Sequence, residues 1–380
     1  MRRHIALLSG ARSEYDILVP VARAIQAAGK ADASFILAGP NLSPYHGRAD
    51  GSGVPVSGRI ESFLSSESWE GRSLSFANLV EGLTRHLASD RPDILVVAGD
   101  REEALAGAIV GNLLRVPVAH LHGGDRCIAS DVDEVLRPAI SKLSHLHFTA
   151  TEGHRERLLK MGELPERVWA TGAPGLDALN GDADLPVEVL SKTAGFDVSK
   201  PFFIVIQHPV TTIESQPERE VTAVLDGVSQ TGHPILCSYP NTDPGNVEIR
   251  KAIDERAARG GVFPFTVLPR DQFIALYRRA AAIVGNSSSI VVESGFLKVP
   301  GILVGPRQDL RQIGENVVRV SVDAGAVRAA CERALNDAQF RAIAKRGSTL
   351  YGDGHASTRI ASALADVDLS PELMLKTMPY

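Results

Sequence analysis

Residues 281–293, AAIVGNSSSIVVE, read as a short apolar strand (281–284), a Gly285-Asn286 turn, and a helix opening on Ser287, Ser288 and Ser289. Strand, tight turn and helix in direct succession are the building unit of a parallel, doubly wound sheet. A helix start leaves backbone N–H groups unpaired and carries the positive end of the macrodipole, so it attracts anions. The three hydroxyls add donors suited to phosphate oxygens. Glu293 follows about one and a half turns later, placed to accept hydrogen bonds from the hydroxyl pair of a sugar or ribose. Arg307, in VGPRQ after the next apolar run, can close a charge-assisted fork on the same phosphates. Serine at a helix start is also an ordinary cap. Glu293 and Arg307 are what turn the reading towards a diphosphate site.

The same alternation extends outward in both directions. In the second half, strands are expected at 202–206, 235–238, 265–267, 282–284 and 301–304, with helical segments between them. In the first half, strands at 4–8, 34–38, 94–98, 116–121, 145–149 and 168–171 alternate with helices at 14–28, 74–88, 102–114, 133–143 and 152–161. The Gly/Pro/Ser-rich stretch 39–58 is long for a connection and is expected to be a mobile loop over a site. Residues 180–200, polar and punctuated by proline, read as a linker. The fold class is therefore α/β, with two doubly wound, Rossmann-like domains facing a cleft, at 1–178 and 179–355. A tail helix within 356–380 is expected to cross back onto the first. In such folds ligands sit beyond the carboxyl ends of the strands.

Length and composition agree with this picture. A chain of 380 residues is too long for one compact core. Its net charge of −5 provides no basic field for nucleic acid or an anionic membrane, so neither is an expected partner. Cys127, Cys237 and Cys331 are too scattered for a disulfide framework or a zinc knuckle. The opening MRRHIALLSG has too short an apolar run for a signal peptide, and the expectation is a cytoplasmic enzyme.

No G-x-G-x-x-G follows a strand and no G-x-x-x-x-G-K-[ST] is present, against a nicotinamide fingerprint or a Walker-type triphosphatase. Polar residues nevertheless gather at strand ends. Arg12, after Gly10-Ala11, stands where a phosphate-facing cation would, or is a solvated loop arginine. Asp100, beside Arg101, is a helix cap or a catalytic carboxylate. His120 and His122 fall on one face of a strand, as metal ligands would. With no cysteine close by, no metal is expected, and Gly123-Gly124 suggest close backbone approach to a ligand instead. Asp133-Glu134 open a helix carrying Arg137 and Lys142, while His145 and His147 read as packing or supporting residues. His208, fixed by Pro209 at a strand end, is placed as proton donor or phosphate ligand. Asn241 offers an amide at the same sheet edge.

Taken together, GARSEYD, GDREE, HLHGGD, the 133–148 stretch ending SKLSHLHF, QHPVTT, YPNTD, GNSSS with its glutamate, and GPRQ resemble the UDP-N-acetylglucosamine 2-epimerase family. The resemblance spans essentially the whole chain. It is closer to the hydrolysing branch, which feeds sialic and legionaminic acid synthesis. It implies a glycosyltransferase-B-like fold, no cofactor, a nucleotide-sugar substrate and a homo-oligomer (dimer or tetramer). By resemblance, Arg12, His208, Asn241, Ser287, Ser288, Glu293 and Arg307 hold the uridine diphosphate, with Arg101 and Ser289 beside them. Asp100 and Asp133 match the proton-transferring carboxylates. Asp131 competes with Asp133, because the segment 124–133 is slightly longer than usual. His122 stands where members carry a glutamate or a histidine. Arg137-Pro138 replaces the family's Arg-His, and Ile290 a glycine.

The chemistry follows from the substrate. The C2 proton of an N-acetylhexosamine is not adjacent to a carbonyl, and no redox motif is present. Elimination of the diphosphate with loss of the C2 proton, then addition of water to the glycal, inverts C2. The alternatives are a non-hydrolysing 2-epimerase, a glycosyltransferase, or a nucleotide-sugar-binding regulator without turnover.

Overall fold

The computed structural model describes residues 2–42, 52–64, 68–128, 131–181, 185–210, 215–240 and 244–377, without the side chain of Asp131. Two compact units emerge. One comprises Met1–Asp125, Val132–Ala178 and Tyr351–Tyr380, the other Arg126–Asp131 and Leu179–Leu350.

The first unit holds β1 (Arg3–Ser9), β2 (Ala31–Ala38), β3 (Val56–Ile60), β4 (Ile94–Ala98), β5 (Val118–Leu121), β6 (Leu146–Thr149) and β7 (Val168–Ala170). They form one parallel sheet in the order β3-β2-β1-β4-β5-β6-β7. Its helices are α1 (Arg12–Ala28), α2 (Trp69–Ser89), α3 (Glu102–Leu113), α4 (Asp131–Leu143), α5 (Glu152–Lys160) and α6 (Pro174–Asp177). Successive strand side chains point to opposite faces. Ile5 and Leu7 join a core with Leu18, Val21 and Ile25 of α1, whereas Ala6 and Leu8 join Leu79 and Leu83 of α2 and Ala104 and Ala108 of α3. With both faces covered, the central strands are continuous apolar runs rather than alternating ones.

The second unit contains α7 (Val187–Ala194), β8 (Phe203–Ile206), α8 (Pro217–Ser229), β9 (Ile235–Ser238), α9 (Asn246–Ala257), β10 (Val262–Phe265) and α10 (Arg270–Arg279). It continues through β11 (Ala282–Gly285), α11 (Ser288–Val292), β12 (Gly301–Val304), β13 (Val317–Val320), α12 (Ala324–Asn336) and α13 (Ala338–Arg346). Its parallel sheet runs β10-β9-β8-β11-β12-β13. Beyond it, α14 (Ala356–Asp366) belongs to the first unit, where Ile360, Ala361 and Leu364 enter the α1 core. Arg3 caps its last turn, donating to the carbonyls of Ala365 at 2.9 Å and Val367 at 2.8 Å.

The fold class is as expected from sequence, and the departures lie at the sheet edges. Residues 56–58 of the expected loop belong to β3, and the expected linker contains α7, which buries Leu190 and Ala194 and ends at left-handed Gly195. The strand expected at 265–267 lies at Val262–Phe265, and β13 carried no expectation. β3, β10 and β13 are edge or near-edge strands with half-exposed faces, so their apolar signal is diluted. In each sheet the strand order reverses once: at β1/β4 in the first and β8/β11 in the second. Those switch points are where such folds bind ligands.

Candidate active site

At the first switch point, β1 opens into Gly10-Ala11-Arg12 and β4 into Gly99-Asp100-Arg101. The organising side chain is Arg137, only 2% exposed. It shares the inward stripe of α4 with Ile140 and Ser141, both buried. A buried guanidinium must be met by acceptors. Arg137 ion-pairs with Asp100 and Glu134 and donates to the carbonyl of Asp125 at 2.9 Å. Asp100 is thereby tied to α4 while its side chain remains 26% exposed. Asp133 lies one turn earlier on α4, where its charge acts on Arg72, and Arg72 forks onto Glu102 through two 3.0 Å bonds. Arg101 pairs with Glu103 at 3.2 Å, and half-exposed Arg12 begins α1 at 3.9 Å from Asp16.

Glu14 completes this switch point. Its carboxylate accepts the amides of Gly10 at 2.7 Å and Ala11 at 3.1 Å, capping α1 from within. Burial, then the neighbouring Glu103 charge, pushes it up to about 8. Gly10 is required here, because a Cβ would stand 2.2 Å from Glu103 Cγ. Neither glutamate was singled out from sequence. The signal was available for Glu14, since an acid at the third helical position is a capping-box residue.

The two strand histidines do not share a face. His122 lies beyond the end of β5 in a left-handed conformation (φ 66°), its N–H bound to Phe148 O at 2.9 Å. His120 is fully buried, and both ring nitrogens have protein partners, Ser141 Oγ at 3.0 Å and Gly99 O at 2.8 Å. The following glycines lie close to other parts of the protein. A Cβ on Gly123 would meet Ser141 Oγ at 3.0 Å and His120 Nδ1 at 3.1 Å, and one on Gly124 would meet His154 O at 2.2 Å. Within SKLSHLHF, His147 and Lys142 bind buried Glu163 at 3.0 and 2.7 Å, joined by Lys376 at 2.7 Å. Burial would raise Glu163, but these donors pull it down to about 2.

At the second switch point, β8 opens into Gln207-His208-Pro209, β11 into Asn286 and the serines, and β12 into Gly305-Pro306-Arg307. Asn286, passed over in the sequence reading as a turn residue, is the hub. Its side chain accepts from His208 N and donates to His208 O, both at 2.8 Å. Its carbonyl receives Gln308 Nε2 at 2.9 Å and Arg307 Nη1 at 3.3 Å. Arg307 also donates to Pro209 O at 3.3 Å. Burial, then the charge of Arg307, pushes His208 down to about 3, so its ring is neutral. Gly285 is obligatory, since its φ is 132° and a Cβ would lie 2.2 Å from Ile206 O.

Helix α11 has five residues, with Ser287 as cap and Glu293 closing it. A helix this short presents local N–H groups and hydroxyls rather than a long macrodipole. Ser287 Oγ accepts Ser289 N at 3.3 Å and Ser289 Oγ at 3.1 Å, while Ser288 is exposed. Glu293 acts electrostatically on buried Tyr277, whose hydroxyl donates to Ser289 O at 3.1 Å. Asn241 and the Asp131 side chain lie outside the described residues.

A family model for UDP-N-acetylglucosamine 2-epimerase matches residues 23–365. The chain belongs to the UDP-N-acetylglucosamine 2-epimerase family. Over 384 residues, covering all of both chains, it is 32% identical to the UDP-N,N'-diacetylbacillosamine 2-epimerase (hydrolyzing) of Legionella pneumophila. It is 28% identical over 343 residues, 90% of this chain and 89% of the other, to UDP-N-acetylglucosamine 2-epimerase of Neisseria meningitidis. The crystal structure of UDP-GlcNAc 2-epimerase from Neisseria meningitidis bound to UDP-GlcNAc has the same fold, with a TM-score of 0.81 at 16% identity over 95% of this chain and 99% of that one. The protein is therefore an enzyme of the nucleotide-sugar 2-epimerase type. In this epimerase, Arg137 and Asn286 organise the two switch points. An arginine on the inward stripe of an amphipathic helix was the available signal for the first. Nothing local marked the second.

Proposed function

We propose that this epimerase is hydrolysing, converting a UDP- or GDP-linked N-acetylhexosamine into the free 2-epimer and the nucleoside diphosphate. The supporting observation is the contrast in equipment. Asp100, held by a buried arginine yet part-exposed, suits proton transfer. The neutral donors around His208, Asn286 and the serines suit a departing diphosphate. The C1–O bond to the β-phosphate breaks as a carboxylate of the first unit takes the C2 proton, giving the glycal. Water then adds, its hydroxyl to C1 and a proton to the opposite face of C2. Asp100 and one of Asp131 or Asp133 carry the proton transfers, with His122 beside them. Arg12, Arg101, His208, Asn241, Ser287, Ser288, Ser289, Glu293 and Arg307 serve the nucleotide. The hydrolysing relatives from Legionella pneumophila and Campylobacter jejuni, both named for diacetylbacillosamine, put UDP-N,N'-diacetylbacillosamine first among substrates to test and UDP-GlcNAc second.

Turnover in D₂O, followed by proton NMR, should place deuterium at C2 of a free sugar and release one nucleoside diphosphate per sugar. A 2-epimer still attached to its nucleotide would make the enzyme non-hydrolysing. A free sugar without C2 deuterium would exclude the elimination.

A further inference from the structure

We propose that His120 is a positioning residue that sets the direction of Asp100 through the backbone, a role resting on the reading of Asp100 as a catalytic carboxylate. His120 lies at the third position of β5, opposite Val97 of β4 and His147 of β6, and is 0% exposed. Its Nε2 is 2.8 Å from Gly99 O. A carbonyl can only accept, so Nε2 carries the proton and Nδ1 is left as acceptor. The hydroxyl of Ser141, 3.0 Å away, therefore donates to Nδ1. Burial, together with the charge of Arg137, keeps the ring neutral, which fits a single tautomer.

The carbonyl held by His120 belongs to the peptide that joins Gly99 to Asp100. Gly99 is left-handed (φ 79°), and its own N–H is bound by Leu121 O at 3.0 Å. Adjacent residues of β5 thus grip both sides of Gly99, and the plane of its peptide fixes the direction in which Asp100 leaves the strand. Ser141 lies one helical turn after Arg137 on α4. Asp100 is consequently tethered to α4 twice: through its side chain by Arg137, and through its backbone by His120 and Ser141. Gly123 leaves room for the ring and hydroxyl to meet, because any side chain there would intrude on both. Helix α4 also carries Asp133, so the relay registers one candidate proton carrier against another. Such alignment matters for rate, since an error of about 1 Å at a reacting group can cost about 10²-fold.

The test compares His120→Leu, His120→Gln, Ser141→Ala and Asp100→Asn in the full-length enzyme, by kcat, KM, thermal melting and nucleoside diphosphate binding. Leu removes the donor to Gly99 O, whereas Gln keeps an amide N–H able to replace it. The expected kcat falls about 100-fold in His120→Leu, about 10-fold in His120→Gln and several-fold in Ser141→Ala, by the same alignment argument. KM and diphosphate binding stay within about threefold, and the pKa values of the pH–rate profile do not move. A merely structural role would instead lower melting temperature and binding together, with Gln no better than Leu. If His120→Leu does not fold, His120→Gln and Ser141→Ala decide alone. Unchanged kcat in both, or losses that follow the melting temperature, would overturn the inference. Asp100→Asn separates the layers. If it retains full turnover, the reading of Asp100 has failed. If it is inactive while the His120 and Ser141 variants turn over normally, only the positioning role has failed.

Discussion

Around Asp100, the side chains that fix the strand ends are charged or titratable: Arg137 holds Asp100 and Glu134, Glu14 gathers the Gly10 and Ala11 amides, and His120 holds Gly99. Around His208 the same task falls to the neutral amides of Asn286 and Gln308 and the hydroxyl of Ser287. Both sets sit at the switch point of a parallel sheet, so topology does not account for the difference. Chemistry does. A group that must exchange protons is controlled by neighbouring charge and burial. A site that receives an already charged ligand does better with oriented neutral donors, which add no competing anion. Arg307 supplies the positive charge of the second site, from half-buried surroundings.

The sharpest way to break this division is Asp100→Asn. It keeps the shape of the side chain and removes the charge facing Arg137. We expect kcat to fall by about 10²–10⁴-fold, the usual range for a lost acid–base group. Nucleoside diphosphate affinity, read by calorimetry, should change less than threefold. Equal losses of turnover and binding would show that the two sites do not divide the work in this way.

Next in size is a pH effect confined to the first site. Glu14 is raised to about 8 in the folded chain, above its ordinary value near 4.5. The folded state therefore holds a proton that the unfolded state releases. The stabilisation from this proton is complete below about pH 4.5 and is lost as pH rises through about 8. Glu14→Gln mimics the protonated form and can still accept from Gly10 and Ala11. Urea unfolding should find it on the order of 5 kcal/mol more stable than the parent at pH 9 and within about 1 kcal/mol of it at pH 5. Buried His120 and His145, pushed down to about 3 and 4, act with the opposite sign, but they are common to both proteins and cancel in the difference. A difference independent of pH would mean that Glu14 is ionised throughout.

In the second site the corresponding perturbation is Asn286→Ala, which removes the two bonds bracketing His208. At about 1 kcal/mol each, with His208 then free to drift while Arg307 keeps its backbone acceptors, diphosphate affinity should weaken about 10–100-fold. The pH dependence of stability above about pH 7 should be unaffected, since His208, held down to about 3, changes protonation only below that. A pH shift comparable to that of Glu14→Gln would erase the distinction drawn above.

How much of this could be read from the sequence follows the same division. The central strands HIALL, ILVVA, FIVI and GILV are covered on both faces, and their apolar runs place them within a residue or two. Edge strands such as VSGRI and VVRV have one wet face, and neither was expected as a strand. Residues at strand ends were legible because a parallel sheet delivers them there whatever the loop does. Their partners were not. That Arg137 meets Asp100, or that Asn286 brackets His208, depends on contacts 37 and 78 residues apart in the chain. Local pattern carries no trace of such pairs. The length of α11 is not legible for a related reason, since Ser287-Ser288-Ser289 marks a helix start whether one turn follows or four.

The smallest effect tests that last point. Ser287 caps a helix of only five residues, accepting Ser289 N at 3.3 Å, a long bond. Replacing a capping serine by alanine typically costs about 0.5–2 kcal/mol, and the length of this bond argues for the lower end, near 0.5 kcal/mol of global stability. Diphosphate binding should suffer more than stability, because the same oxygen also accepts from Ser289 Oγ and so fixes two of the three hydroxyls offered to the ligand. Ser288→Ala is the comparison. Ser288 is exposed and begins the helix, so its loss should leave stability unchanged and weaken binding only by the one hydroxyl removed. If Ser287→Ala and Ser288→Ala weaken binding equally while stability stays level in both, the serines act as independent donors. The hydrogen bond from Ser289 to Ser287 would then contribute nothing to the arrangement of the second site.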